Sequence, residues 1–128
     1  MTVRVVLDAS ALLAFLHEEP GGEKVSPVLE GACVSAVNWC EVLEKSLQRD
    51  VDIEGMQREF MEVGATFEPF TPEQAETAAR LYTQTRNHGL SLTDRACLAL
   101  ALDKGWPVMT ADRAWAGLDL AIEVEVIR

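Results

Sequence analysis

Four carboxylate side chains stand where an α/β fold brings residues together. Asp8 and Asp112 directly follow short apolar runs with β-strand character, and Glu41 and Asp94 fall in the first turns of predicted helices. Because ligands of parallel sheets gather at the carboxyl ends of the strands, we expect these side chains at one edge of the sheet. Crowded carboxylates repel one another unless a cation lies among them. Mg²⁺ and Mn²⁺ are the cations that this oxygen chemistry favours.

Each of the four acids also has an ordinary structural explanation. Acidic residues favour helix N-termini, so Asp8 and Asp112 can cap the helices that follow them. Glu41 lies on a polar stripe of its helix, which is typical of a solvent-facing surface. Asp94 shares its helical face with apolar residues, and a charge facing a core requires a partner. The metal site is therefore a hypothesis about the four acids together.

The sequence lacks the residue patterns that several other kinds of active site require. Both histidines lie at predicted helix ends, and no histidine–cysteine cluster is present that would bind a softer metal. Gly21-Gly22 lacks the lysine and Ser/Thr of a phosphate-binding P-loop, and Ser10 has no evident histidine partner. A receiver domain of a response regulator needs an aspartate at the end of the third strand, where this chain has Thr66 to Phe70.

Length, composition and charge limit the classes of protein to which this sequence can belong. The 128 residues match one typical domain, and 48% apolar with 25% charged residues is near the globular average, so we expect a single domain over residues 1–128. Eleven Lys and Arg against 21 Asp and Glu give a net charge of −10, which repels polyanions at long range. A phosphate-containing substrate therefore requires metal ions or local arginines.

Cysteine usage and hydropathy indicate the compartment. Cys33, Cys40 and Cys97 are odd in number and lie in apolar surroundings, which predicts buried, reduced thiols rather than disulfides. The apolar run at the N-terminus is interrupted by Asp8 and lacks a convincing signal-peptide cleavage site. No other stretch approaches the roughly 20 apolar residues of a membrane span. We therefore expect a cytoplasmic protein without membrane association.

Strand-like and helical segments alternate along the chain. Strands are predicted at residues 3–7, 32–34, 65–70, 107–110 and 122–127, helices at 9–16, 37–48, 71–87 and 91–102, and weaker helical segments at 23–30, 52–61 and 111–116. Asp52 is the expected N-cap of its helix. Thr71-Pro72 is the clearest helix start, an N-cap followed by proline at the first helical position. The alternation predicts an α/β sandwich with a largely parallel sheet.

The order of these segments resembles the PIN domain, the small nuclease fold of the VapC-type toxins in bacterial toxin–antitoxin pairs. The matching segments are VVLDASALLAFL, SAVNWCEVLEK, LSLTDRACLALA and PVMTADRAW, each containing one of the four carboxylates. They occur in the family's order and span nearly the whole chain. The resemblance implies a PIN-like three-layer sandwich, with a mostly parallel central sheet flanked by helices.

The resemblance also implies a role for each residue of the acidic site. Asp8, Glu41, Asp94 and Asp112 would form the catalytic, metal-binding site, with Asp8 and Asp94 as direct ligands of Mg²⁺ or Mn²⁺. Ser10 and Thr110 match positions where the family often has a hydroxyl, and we expect them to support the carboxylates. The reaction would be metal-dependent hydrolysis of RNA phosphodiesters by one or two ions. Basic residues near these acids are candidates for binding substrate phosphates: Lys45, Arg49, Arg95 and Arg113.

Partners and competing functions follow from the same resemblance. The implied partners are an RNA substrate, a small antitoxin whose C-terminal segment covers the acidic site, and a second copy of the chain in a homodimer. Two other functions stay open: an RNA-processing nuclease outside a toxin pair, and a non-catalytic binding module with the PIN-like fold. Metal-dependent cleavage of RNA would distinguish either nuclease from the binding module.

Overall fold

A sheet of five parallel strands organises residues 4–128, which are the residues described by the computed structural model. The strands are β1 (Val6–Leu7), β2 (Cys33–Ser35), β3 (Thr66–Glu68), β4 (Val108–Thr110) and β5 (Val124–Val126). Their order across the sheet is β3-β2-β1-β4-β5, so β1 is central and pairs with β2 and β4. Val3, which begins the predicted first strand, lies outside the described residues.

Helices cover both faces of this sheet. They are α1 (Ala9–Leu16), α2 (Ala36–Gln48), α3 (Met56–Glu62), α4 (Pro72–Arg80), α5 (Tyr82–Thr85) and α6 (Leu92–Lys104), with short 3₁₀ turns at Gly22–Lys24, Ser26–Val28, Arg86–His88 and Arg113–Trp115. Val5 and Leu7 contribute to a core with α1, α2 and α3, whereas Val6 contributes to a second core with α6. Successive residues of a strand point to opposite faces. The predicted three-layer α/β sandwich is confirmed.

The weaker helical segments differ most from the prediction. Residues 23–30 form two 3₁₀ turns instead of a helix, and Gly22 packs so closely on α1 that a Cβ there would lie 2.3 Å from the carbonyl oxygen of Ala14. Asp52 is not a helix N-cap, because its Oδ1 accepts a hydrogen bond from Glu54 N at 3.0 Å in a turn. The helix α3 begins only after Gly55, whose φ of 78° ends that turn.

The predicted helix over residues 71–87 starts as expected but is divided. Thr71 Oγ1 accepts a hydrogen bond from Gln74 N at 3.1 Å and caps α4. The helix is interrupted at Leu81, where side chains bind two backbone carbonyls: Arg95 donates to Ala78 O at 2.8 Å and Thr85 Oγ1 donates to Leu81 O at 2.8 Å. Ala78 O is the acceptor that Tyr82 N would use in a continuous helix, and Arg95 binds to it from 17 positions away.

The three cysteines differ in burial. Cys33 and Cys97 are buried, as predicted, and all three thiols are free. Cys40 is exposed, contrary to the prediction, because α2 turns Trp39 and Val42 towards the core. Over residues 4–128, none of the helices has the length and apolar character needed to cross a membrane.

Candidate active site

Asp8 lies at the point where the order of the strands reverses. The chain passes from β1 to β2 on one side of the sheet, and β4 lies on the other side of β1. Such a switch point, at the carboxyl ends of the strands, is where parallel sheets bind ligands. Asp8 follows β1 directly, is 3% exposed, and caps α1 by accepting a hydrogen bond from Ala11 N at 2.8 Å. The N-cap explanation of Asp8 is therefore correct, and it is compatible with a site.

Two hydroxyl groups converge on the Asp8 carboxylate. Thr110 Oγ1, at the end of β4, lies 2.6 Å from Asp8 Oδ2, and Ser10 Oγ lies 2.8 Å and 2.9 Å from the two carboxylate oxygens. Each hydroxyl also accepts a hydrogen bond from a backbone N–H: Ser10 Oγ from Ala111 N at 2.8 Å, and Thr110 Oγ1 from Asp112 N at 3.0 Å. Their own protons are thereby directed to Asp8, which fixes the orientation of the carboxylate.

Burial makes the charge on Asp8 unfavourable. It raises the pKa of Asp8 from 3.8 to about 6, and the nearby charge of Asp94 acts in the same direction. The hydrogen bonds from Thr110, Ala11 and Ser10 oppose this shift but are outweighed by desolvation. A buried carboxylate with a strongly raised pKa, held in one orientation, is a candidate functional residue.

Asp94 approaches the same place from the N-terminus of α6. Ser91 Oγ accepts a hydrogen bond from Asp94 N at 3.1 Å, and Asp94 Oδ2 accepts one from Ser91 N at 2.9 Å, which is a complete capping box. Partial burial raises the pKa of Asp94, and the charge of Asp112 raises it further, while Lys45 lowers it. The charge of Asp112 raises the pKa of Asp94, and the charge of Asp94 raises the pKa of Asp8. These three carboxylates therefore lie in one region.

Asp112 and Glu41 lie at the margin of that region. Asp112 is exposed and caps the following 3₁₀ turn, with its Oδ1 accepting a hydrogen bond from Ala114 N at 2.9 Å. Glu41 Oε2 lies 3.9 Å from Lys45 Nζ on α2, and both side chains line a cavity that reaches Ser10. The four acids are thus more widely spread than a closed cluster. Within residues 4–128, no three Asp, Glu, His or Cys side chains surround a position for a metal ion.

The donor chemistry nevertheless fits a hard divalent cation. The group consists of carboxylate and hydroxyl oxygens, and the pKa values of Asp8 and Asp94 are raised by burial and by a neighbouring carboxylate. Mg²⁺ keeps several of its waters and needs only one or two protein carboxylates. Asp8 and Asp94 are the two residues present that satisfy this requirement.

The four basic candidates for phosphate binding separate into two groups. Lys45 and Arg49 line the cavity that reaches Ser10, and Arg113 follows Asp112 directly on the exposed surface. Arg95 lies elsewhere, because its guanidinium binds Ala78 O and stacks 5.5 Å from the ring centroid of Tyr82. Arg95 therefore holds α4 and α5 against α6, which is a packing role rather than a place beside the carboxylates.

One positioning residue was not predicted from the sequence. Asn38, in the first turn of α2, is fully buried and joins three helices: its Oδ1 accepts a hydrogen bond from Ala9 N at 3.1 Å, and its Nδ2 donates to Thr93 O at 3.3 Å. These bonds fix the starts of α1 and α6 beside Asp8 and Asp94. The signal was present, since Asn38 lies one helical turn from the apolar Val42 on the buried face.

Comparison with known proteins defines the class. The PIN domain family model matches residues 5–120, and the chain belongs to this family. The resemblance inferred from the four acidic segments is therefore confirmed. Among curated protein sequences, none gives a significant match.

Several solved structures share the fold. A chain of a toxin–antitoxin complex from Klebsiella pneumoniae has a TM-score of 0.70 at 17% identity, covering 93% of this chain and 98% of that chain. DNA-bound VapBC from Salmonella typhimurium has a TM-score of 0.70 at 13% identity, covering 98% and 99%. VapC20 of Mycobacterium tuberculosis, a toxin that cleaves the sarcin-ricin loop, has a TM-score of 0.69 at 14% identity, covering 93% and 98%. At these identities the likeness establishes the common fold.

Proposed function

We propose that this protein is a metal-dependent endoribonuclease and the toxin of a VapBC-type toxin–antitoxin pair. The observation that carries the proposal is Asp8, a buried carboxylate with a pKa of about 6, oriented by two hydroxyls at the switch point of the sheet. The charge of Asp94 reaches this carboxylate from α6. Membership of the PIN domain family supports a nuclease.

The proposed cofactor is Mg²⁺ or Mn²⁺, held by Asp8 and Asp94 with Glu41 and Asp112 at the margin. When bound, such a cation supplies acidification of water and charge stabilisation at a phosphodiester. A bound cation would offset the desolvation that raises the pKa values of Asp8 and Asp94, and also the smaller repulsion from the neighbouring carboxylate. The proposal holds for one ion or for two.

Residues of this chain are proposed to orient the two carboxylates and to bind the phosphates of the RNA. Ser10 and Thr110 donate hydrogen bonds to Asp8 and keep both of its oxygens in place. The capping box keeps Asp94 at the start of α6. Lys45, Arg49 and Arg113 are the basic side chains proposed to contact phosphates of the RNA, whereas the contacts of Arg95 favour packing.

The proposed partners follow from the similar structures. The Klebsiella pneumoniae and Salmonella typhimurium chains come from complexes of a toxin with its antitoxin. We expect the corresponding small antitoxin to cover the acidic region here, where a basic side chain would be electrostatically complementary to a chain of net charge −10. A homodimer of this chain is part of the proposal, as is a cytoplasmic site of action on RNA.

Cleavage of RNA tests this function. The purified protein, an Asp94→Asn variant and an Asp103→Asn variant are incubated with a panel of structured RNAs in Mg²⁺, in Mn²⁺ and in EDTA. The side-chain amide introduced by Asp94→Asn keeps an oxygen that can accept from the Ser91 N–H, so the fold is preserved. Asp103 is exposed on the same helix and serves as the matched control for the loss of one charge.

The expected result is discrete cleavage by the wild type and by Asp103→Asn that requires metal. Asp94→Asn is expected to be about 100-fold slower or more. Equal cleavage by all three proteins would assign the activity to a contaminant. Absence of cleavage by folded wild-type protein on every RNA would overturn the proposal and favour the non-catalytic binding module.

A further inference from the structure

A charged cavity lies beside the candidate active site, between α1 and α2. Its volume is about 340 Å³, at the small end of the range for ligand pockets. Its charged lining consists of the cationic Lys45, Arg49 and Arg128 and the carboxylates Glu19 and Glu41, and Ser10 also lines it. These groups sum to a charge of +1, although the protein as a whole has a net charge of −10. The positive groups of the cavity are thus largely neutralised by its own two carboxylates.

Glu19 occupies the centre of these cationic groups. Its Oε2 lies 3.7 Å from Arg49 Nη2, and its Oε1 lies 3.4 Å from Arg128 Nη1. One carboxylate thus joins the end of α2 to the end of the chain, across two partly exposed ion pairs. Exposed ion pairs of this kind contribute little to stability, so a competing anion can displace the carboxylate.

The cavity is continuous with the carboxylates at the switch point. Ser10 lines the cavity and donates to Asp8, and Lys45 lines it and lowers the pKa of Asp94. On the other side, Arg113 Nε donates a hydrogen bond to the backbone oxygen of Arg128 at 3.0 Å. An anionic chain that reached Asp8 and Asp94 would therefore pass directly over the basic groups.

We infer that this cavity binds a phosphate of the RNA strand flanking the scissile phosphate, and that Glu19 is an internal competitor for it. In the free protein, the Glu19 carboxylate takes the position of the phosphate between Arg49 and Arg128. RNA displaces it, because arginine forms paired hydrogen bonds with phosphate oxygens and the strand is held at several points. Glu19 thus limits the affinity for RNA. The inference rests on the proposed function for the identity of the substrate.

Binding of RNA in EDTA tests the cavity apart from catalysis. A fluorescein-labelled single-stranded RNA is titrated by anisotropy with wild type, Glu19→Gln, Arg49→Gln and Glu76→Gln. Glu76 is the matched control, since it also pairs with an arginine, Arg80 at 2.7 Å, on the exposed face of α4. Both Glu→Gln variants reduce the net negative charge by one.

The expected change is specific to the cavity. Glu19→Gln binds RNA about fivefold more tightly than Glu76→Gln, because two arginines become available to phosphate. Arg49→Gln binds about fivefold more weakly, and the slope of log affinity against log salt concentration falls by about 0.7. In cleavage assays with Mg²⁺, Glu19→Gln lowers KM, as expected for tighter binding of the RNA.

The opposite results separate this inference from the proposed function. Equal affinities of Glu19→Gln and Glu76→Gln, an unchanged salt slope for Arg49→Gln, or no RNA binding by any variant would each overturn the inference. A merely structural Glu19 would instead lower the thermal stability of Glu19→Gln without tightening RNA binding. If the binding changes occur but wild type does not cleave RNA, the cavity stands and the nuclease function fails.

Discussion

Asp8 combines three hydrogen-bond donors with an unfavourable environment for its charge. Ala11 N–H, Ser10 Oγ and Thr110 Oγ1 all donate to this carboxylate, yet burial still raises its pKa to about 6. Three donors would normally hold the pKa of a carboxyl below its usual value. Ionised Asp8 is therefore unfavourable for the stability of the free protein, as is common for residues of active sites, which agrees with the proposed role of Asp8 as a metal ligand.

The pH dependence of stability in EDTA tests this description of Asp8. Folded Asp8 binds its proton more tightly than unfolded Asp8, so the free energy of unfolding of the wild type falls as the pH rises from about 4 to 6. Relative to Asp8→Asn, the loss reaches about 3 kcal/mol, from the pKa change of 3.8 to about 6. Urea denaturation of both proteins at several pH values measures the difference, in which the other carboxylates cancel.

Mg²⁺ serves as the internal control for this measurement. At pH 7 it should stabilise the wild type more than Asp8→Asn, because the variant lacks one of the two proposed carboxylate ligands. A difference between the two proteins that does not depend on pH would contradict the description of Asp8 as a desolvated carboxylate.

At the scale of the secondary structure, the residues of the candidate site lie at the N-termini of helices. Asp8 begins α1, Asp94 lies in the first turn of α6, and Asn38 in the first turn of α2 ties both starts together. Residues at helix N-termini are held by backbone N–H groups as well as by side chains. The orientation of the carboxylates therefore depends on the integrity of these first turns.

Removal of two helix caps separates positioning from general stability. Ser91→Ala breaks the capping box that holds Asp94, and Thr71→Ala removes the N-cap of α4, which does not carry an acid of the site. Each change should lower the free energy of unfolding by about 1 kcal/mol. Only Ser91→Ala should also slow RNA cleavage, by about tenfold, since a small displacement of a catalytic group is costly. Equal cleavage rates for the two variants would show that the capping box does not position Asp94.

Local sequence signals predicted the starts of α4 and α6, and both ends of α1 and α2, to within one residue. Thr71-Pro72 and Ser91 were sufficient because an N-cap involves residues only three apart. The interruption at Leu81 depends on Arg95 reaching Ala78 O, a contact 17 positions apart that no local pattern contains. Asp52 has the residue type of an N-cap, but its side chain closes a turn before Gly55 instead.

At the scale of the whole molecule, the strand order brings distant residues to one edge. Thr110 and Asp8 are 102 positions apart in sequence, yet they are joined by a hydrogen bond because β4 pairs with β1. The sequence predicted that four acids would converge at the carboxyl edge, since parallel strands end together. The pair of Glu41 and Lys45 is a local contact one helical turn apart within α2, and the helical pattern of the sequence is enough to predict it. The sequence could not predict that Arg128 would reach Glu19, because that contact depends on how distant segments pack on the sheet.

Binding of Mn²⁺ tests whether Asp8 and Asp94 form a divalent metal site. Isothermal titration calorimetry compares the wild type with Asp8→Asn, Asp94→Asn and the surface control Asp103→Asn, all at pH 7. We expect equal affinity for the wild type and Asp103→Asn, and a loss of about tenfold or more for the two site variants, since each removes one charged ligand. Equal Mn²⁺ affinity in all four proteins would rule out a site at Asp8 and Asp94, because the ion would then bind elsewhere on this acidic chain.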